Sequence, residues 1–171
     1  MMYEYRFYNT VSTEPASIYD GNEDIIGTLT KVYSSPIKKA LDFGGQWFVE
    51  YKITDGKDEL VFQSKKDLRI HKKRQYHIFY YKNDDEYYVN LVDHKSLDLG
   101  ERTTFNYNGD TYELEATQFN WARIKKDDSV IAAWKSSLNP PYMAYFKLMD
   151  EAYEHEVLFL MGVFHTYLHP A

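Results

Sequence analysis

The pattern of apolar and polar positions along the chain is written mostly in steps of two. Tyr3-Glu4-Tyr5-Arg6-Phe7-Tyr8 alternates aromatic with mostly polar residues, the period of a strand with one buried face. Ile25 to Tyr33 reads as a long strand, and Gly27 inside it predicts a bulge or bend. Gln46 to Ile53 and Glu59 to Gln63 flank Asp55-Gly56 and read as a hairpin. Gln75 to Tyr81 and Glu86 to Val92 pair across Lys82 to Asp85, and Thr103 to Tyr107 and Thr111 to Ala116 pair across Asn108-Gly109. Asn-Gly between alternating runs is the strongest short-range hairpin signal, because both residues tolerate positive φ. Phe119 to Ile124, Val130 to Trp134 and Tyr142 to Leu148 complete about twelve short strands, at the spacing of a sandwich or barrel. A short helix is expected between Ile37 and Phe43, ended by Gly44-Gly45.

The last stretch breaks the pattern. From Val157 to Phe164 no residue is polar. A helix apolar on every side must be buried on every side. A helix from Glu151 to Leu168 would be about 27 Å long at roughly 1.5 Å per residue. That matches the height of a wall of tilted strands seven or eight residues long. Eight strands fill their own interior, whereas about twelve leave a bore near the width of a helix. The expected fold is therefore all-β, a closed antiparallel barrel of about twelve strands around a central hydrophobic C-terminal helix. Burying that helix contributes about 10–20 kcal/mol before ordering entropy is subtracted. Asp150 is placed to N-cap it, Glu151, Glu154 and Glu156 sit at its positive end, His165 and His169 at its negative end, and Pro170 stops it.

Composition agrees. Aromatics make up 18% of 171 residues, with 17 Tyr and 10 Phe, and aromatic residues favour pleated, half-buried walls. The length suits one domain over residues 1–171, with no linker or low-complexity tract. Cysteine is absent, which removes disulfides and thiolate metal sites and fits a reducing cytoplasm. The first residues carry no apolar signal-peptide core, and the apolar run in the last helix is far short of the roughly 20 residues of a membrane span.

Two stretches carry a family resemblance. Ile18-Tyr19-Asp20-Gly21-Asn22-Glu23-Asp24-Ile25-Ile26-Gly27-Thr28-Leu29 is an early hairpin with an acidic Gly turn and a Gly in its second strand. Ser129 to Trp134 followed by Tyr142 to Phe164 gives closing strands and a plug helix. With the layout of the whole chain, they resemble the tubby C-terminal-like superfamily, which includes tubby domains, phospholipid scramblases and LURP-one-related proteins. The resemblance implies a closed barrel, a cytoplasmic setting and contact with membrane lipid or phosphoinositide. It implies no enzyme, and no catalytic residue transfers with it.

Charge adds a candidate site. The net charge of −6 disfavours nucleic acid as a partner. Yet Lys65 to Arg74 holds six Lys/Arg and one Asp, +5 within a chain whose remainder is at −11. Lys65, Lys66, Arg69, Lys72, Lys73 and Arg74 are the candidate ligand-binding residues, since anionic headgroups need several cations on one surface. If Leu68 and Ile70 point inward, the odd-numbered Lys65, Arg69 and Lys73 face out, and the others need a loop or bulge. The competing reading is a charged edge that blocks strand pairing. The partners expected are an anionic membrane lipid or, alternatively, a protein held by an acidic, aromatic exterior.

Other constellations are weaker. His165 and His169 share a helix face, but two His without a third ligand do not make a zinc site, so no metal and no cofactor is expected. Glu113 and Glu115 lie two apart on a strand and read as a solvent face rather than a catalytic pair. Trp47, Trp121 and Trp134 read as core or wall, as do His71, His77 and His94. No nucleotide-binding or nucleophile motif is present, and the plug helix would occupy the space a small ligand needs, so no enzyme is expected.

Overall fold

A computed structural model describes residues 1–6, 12–42, 48–67, 75–93, 100–117, 120–137 and 139–168. Twelve antiparallel strands form a closed barrel. They are β1 (Met2–Arg6), β2 (Ala16–Tyr19), β3 (Ile25–Tyr33), β4 (Val49–Asp55), β5 (Leu60–Asp67), β6 (Gln75–Lys82), β7 (Asp85–Asp93), β8 (Gly100–Tyr107), β9 (Asp110–Thr117), β10 (Ala122–Lys126), β11 (Ser129–Ser136) and β12 (Met143–Leu148). Each strand lies beside its chain neighbours, and β12 pairs with β1 to close the ring, Tyr3 opposite Phe146 and Tyr5 opposite Ala144. Closure leaves no edge strand to template aggregation.

The alternation in the sequence sets the faces. Phe62 and Ser64 of β5, Tyr76, Ile78 and Tyr80 of β6, and Ala144, Phe146 and Leu148 of β12 are buried, with partly exposed residues between them. A short helix, α1 (Pro36–Leu41), follows β3; Ser35 caps it by accepting from the Lys38 amide at 3.2 Å, and Pro36 opens it where no amide partner is needed. Asn83-Asp84, Asn108-Gly109 and Asp127-Asp128 all have positive φ at both residues, the hairpin geometry that matches strand twist. The bulge expected near Gly27 is present: the β2–β3 register shifts between Ile18 and Tyr19, opposite Gly27 and Ile25. Gly27 also allows a close approach, since a Cβ there would lie 2.5 Å from the Thr54 carbonyl oxygen and 3.3 Å from Leu158.

One expectation is corrected. The last helix is not continuous from Glu151. Residues Glu151–Glu156 form a 3-10 helix with non-helical backbone at Tyr153, and only Val157–Leu168 is α-helix (α2). The cause is visible in the sequence Glu-Ala-Tyr-Glu-His-Glu, none of which is buried. Only Tyr153 packs against the core, so the segment crosses the rim of the barrel before the chain turns in at Val157. Asp150 does cap it, accepting from the Ala152 amide at 3.0 Å. The twelve residues of α2 span about 18 Å.

Within the bore α2 lies nearest β4, β5 and β6. Leu160 and Phe164 are fully buried, while Leu158 is half-buried at the rim. Gly162 is where helix and wall come closest. A Cβ there would meet three ring atoms of Phe62 at 2.6–2.7 Å, so the missing side chain lets the ring lie against the helix.

Because the chain runs as an up-and-down meander, its connections alternate between two ends. The short turns after β2, β4, β6, β8 and β10, with the 3-10 helix, form one end, here the turn end. The longer connections after β1, β3, β5, β7, β9 and β11 belong to the other, the loop end, toward which α2 points its C-terminus.

Candidate functional site

The interior changes chemistry along its length. Toward the turn end it is aromatic: Phe159 has Tyr107 and Tyr80 at ring-centroid distances of 4.5 and 4.8 Å. Toward the loop end it is polar. His165 is buried, with Nδ1 3.0 Å from the Tyr5 hydroxyl, and the Trp134 indole N–H donates to that same hydroxyl at 3.1 Å. The Tyr51 ring stands edge-on to the imidazole at 4.5 Å, and Thr166 donates to Ser64 Oγ at 2.8 Å. His165 is thus a buried, hydrogen-bonded core group, where the sequence reading placed it as a complement to the negative end of the helix dipole. His169 lies outside the described residues, and among the described residues no three His, Asp or Glu gather in a way that could hold a metal.

Burial holds the bore tyrosines protonated. It is the first cause of the upward shift at Tyr5, Tyr51, Tyr107 and Tyr112, and at Tyr80, whose hydroxyl is pushed up to about 12, with Glu156 adding to it. An unfolded chain releases phenolic protons near pH 10, whereas the folded one keeps them to about 12 or beyond. Stability is therefore expected to be insensitive to tyrosine ionisation below pH 10 and to fall as pH rises from 10 through 12. Thermal unfolding followed alongside 295 nm absorbance checks this. Tyrosines that all titrate near 10 with the fold intact would mean that water reaches the bore.

At the loop end the wall carries charge. β5 ends in Lys65-Lys66-Asp67. Lys65 faces outward, its ammonium 3.8 Å from Glu50 on β4. Lys66 shares the inward parity of Phe62 and Ser64 and lies opposite buried Tyr76. The remaining candidates Arg69, Lys72, Lys73 and Arg74, with His71, lie outside the described residues, as do Trp47 and His94.

Sequence reasoning missed a second group here. Lys31 is on the inward parity of β3, opposite Tyr51, and is buried with its ammonium 5.7 Å from the Tyr33 ring centroid. Burial lowers its pKa, and the charge of Asp42 opposes that shift. Asp42 is itself buried beyond the end of α1 and accepts from the Phe48 amide at 3.3 Å. Tyr33 is raised by burial first, then by the charge of Asp42 and a hydrogen bond to it. The signal was available: Lys31 continues the Gly27-Leu29 parity, opposite to that of Thr28, Thr30 and Val32.

The other residues singled out from sequence sit on the wall. Glu113 and Glu115 belong to a charge ladder across β8, β9 and β10, with Arg102 2.6 Å from Glu113 and 3.1 Å from Glu115, which Lys125 also engages. Trp121 packs on the outside beneath the ammonium groups of Lys147 and Lys135 at 4.4 and 4.7 Å, while Trp134 is in the core. His77 stacks on Tyr88, with Nδ1 2.6 Å from its hydroxyl.

Charge divides between the ends. Residues 20–24, 55–59, 82–86, 107–111, 126–129 and 149–156 make up the turn end and hold sixteen carboxylates against three lysines, a net −13. With the whole chain at −6, the walls and loop end together carry +7. No helix among the described residues is long and apolar enough to cross a membrane.

Comparison with known proteins adds one positive finding. A family model described as the Tubby C-terminal like domain matches residues 3–170. No curated protein and no solved structure matches the chain.

Proposed function

The chain belongs to the family of the Tubby C-terminal like domain, and on that premise we propose that it is a non-catalytic barrel that binds anionic lipid headgroups, phosphoinositides among them, at its loop end, as a peripheral protein of the cytoplasmic membrane face. One observation carries this reading: the separation of charge between the two ends of the barrel. Lys65 and Lys66 close β5 toward the loop end, the other cations of the run follow them in sequence before β6, and the net −13 of the turn end lies at the opposite pole. A negative surface attracts the first and repels the second, which orients the molecule before any specific contact forms.

Each Lys or Arg near an anionic membrane contributes about 1 kcal/mol. The combined substitution Lys65→Glu, Lys72→Glu, Lys73→Glu is therefore expected to weaken binding to phosphoinositide vesicles at least about a hundredfold. Thermal unfolding is measured alongside, because Lys65→Glu also takes the cation 3.8 Å from the buried Glu50 carboxylate. Vesicle flotation measures the effect, and wild-type binding should fall steeply with added salt. Equal flotation with neutral vesicles, or binding that high salt leaves unchanged, removes the reading. Retention of a defined protein partner at high salt would instead favour a scaffold role.

A further inference from the structure

The turn end holds a cleft of about 1520 Å³ bounded by the β2–β3, β4–β5 and β6–β7 turns and the 3-10 helix. Small-molecule pockets run to roughly 300–1000 Å³, so this volume suits a stretch of chain. Its floor is apolar, formed by Ile26, Val61, Tyr80, Val157 and Leu158. Leu158 is the member of the plug helix's apolar run that the barrel leaves half-covered, which gives the floor a side chain still in need of a neighbour. Leu60 on the rim is 36% exposed. Apolar side chains of that size left open around one concavity mark an interaction surface more than a solvated end.

The rim is acidic. Asp20, Asp55, Glu59, Asp85, Glu86 and Glu154 surround that floor. Among the described residues Lys82 is the one lysine of the lining, and Glu156 already engages it. Two of the carboxylates are fixed in place: Asp20 accepts from the amides of Asn22 and Asp24, and Asp55 from those of Lys57 and Glu59. A carboxylate ring alone would attract any cation. An apolar floor beneath it selects an occupant that is cationic and also has an apolar side chain to bury.

We propose that this cleft docks a segment of a partner protein in which Lys or Arg residues flank an apolar anchor. The anchor packs on Leu158 and Val61 while the flanking cations meet the rim. The cleft is at the opposite pole from the loop end, so it stays open when that end faces a membrane. The proposal does not depend on lipid binding.

The test uses the whole chain and a labelled ten-residue peptide of alternating Lys/Arg and Leu, followed by fluorescence anisotropy in about 0.1 M salt, where charges beyond about 10 Å are screened. Saturable one-to-one binding is expected. Glu59→Lys with Glu86→Lys should weaken it at least tenfold, and changing the peptide's Leu to Ser should weaken it at least fivefold with the protein untouched. The two-site variant should melt like the wild type and still float with phosphoinositide vesicles, which separates this proposal from the lipid reading. Absence of binding, binding unmoved by the two Glu substitutions, or equal affinity for the Leu→Ser peptide would overturn it. So would equal competition by spermine, which carries charge without an anchor. Concentration-dependent self-association in sedimentation velocity, abolished by the same two substitutions, would assign the cleft to a second copy instead.

Discussion

Gly162→Leu is expected to stop the barrel from closing properly on its helix. An ideal Cβ at this position already lies 2.6 Å from two ring atoms of Phe62, and the ring is fully buried, so it has nowhere to swing. Overpacking by even a methylene or two costs about 1–3 kcal/mol in a close-packed interior. Leucine adds four carbons at the tightest contact, so the loss should exceed about 3 kcal/mol, a large part of the roughly 5–15 kcal/mol that holds a typical domain together. Gly162→Ala sets two effects against each other. Alanine gains about 1 kcal/mol of helix propensity, but its methyl group must displace the ring, and a net loss of about 1–2 kcal/mol is expected. Urea unfolding followed by tryptophan fluorescence measures both. The decisive comparison is Phe62→Leu combined with Gly162→Ala: a smaller partner should recover part of the loss, as residues in direct contact couple. If Gly162→Ala is as stable as the wild type, the ring is not where its role requires.

Phe164→Ala should be about as damaging, for the opposite reason. Phe164 is fully buried, stacked at 12° on Trp134 with ring centroids 6.4 Å apart, and it meets Phe146 edge-on at 6.1 Å. Removing it leaves a cavity bounded by the rigid wall, with an expected cost of about 3–5 kcal/mol. Trp134 gives an internal report, since its emission should move to the red if water enters beside it. Leu158→Ala serves as the contrast. Leu158 is already half open to the cleft, so less apolar surface is lost and the cost should be roughly half. Equal losses at the two positions would mean that the helix does not sit in the bore at the depth described.

The elements of this fold are local decisions, and the chain states them locally. Alternation such as Tyr76-His77-Ile78-Phe79-Tyr80 makes a wall. Asn108-Gly109 makes a turn, and the run Val157 to Phe164 makes a rod that requires enclosure. Twelve strands and a closed ring follow from those signals, because nothing else in the chain can cover a helix that lacks a polar side.

What the sequence left open are features where two distant segments meet. His165 belongs to the core because Tyr5, 160 positions away, supplies its hydrogen bond. By itself it looks like any cation at a helix end. Lys31 turns inward because parity along β3 overrides its preference for water. The helix starts at Val157 rather than Glu151 because the rim of the barrel, not the capping signal at Asp150, marks where burial begins. The carboxylates of six separate segments become one acidic pole only once the meander places every second connection at the same end. Periodicity and turn chemistry act over a few residues and can be read one segment at a time. Burial, charge fields and hydrogen-bond partners act through space, and the closed ring of strands sets those distances.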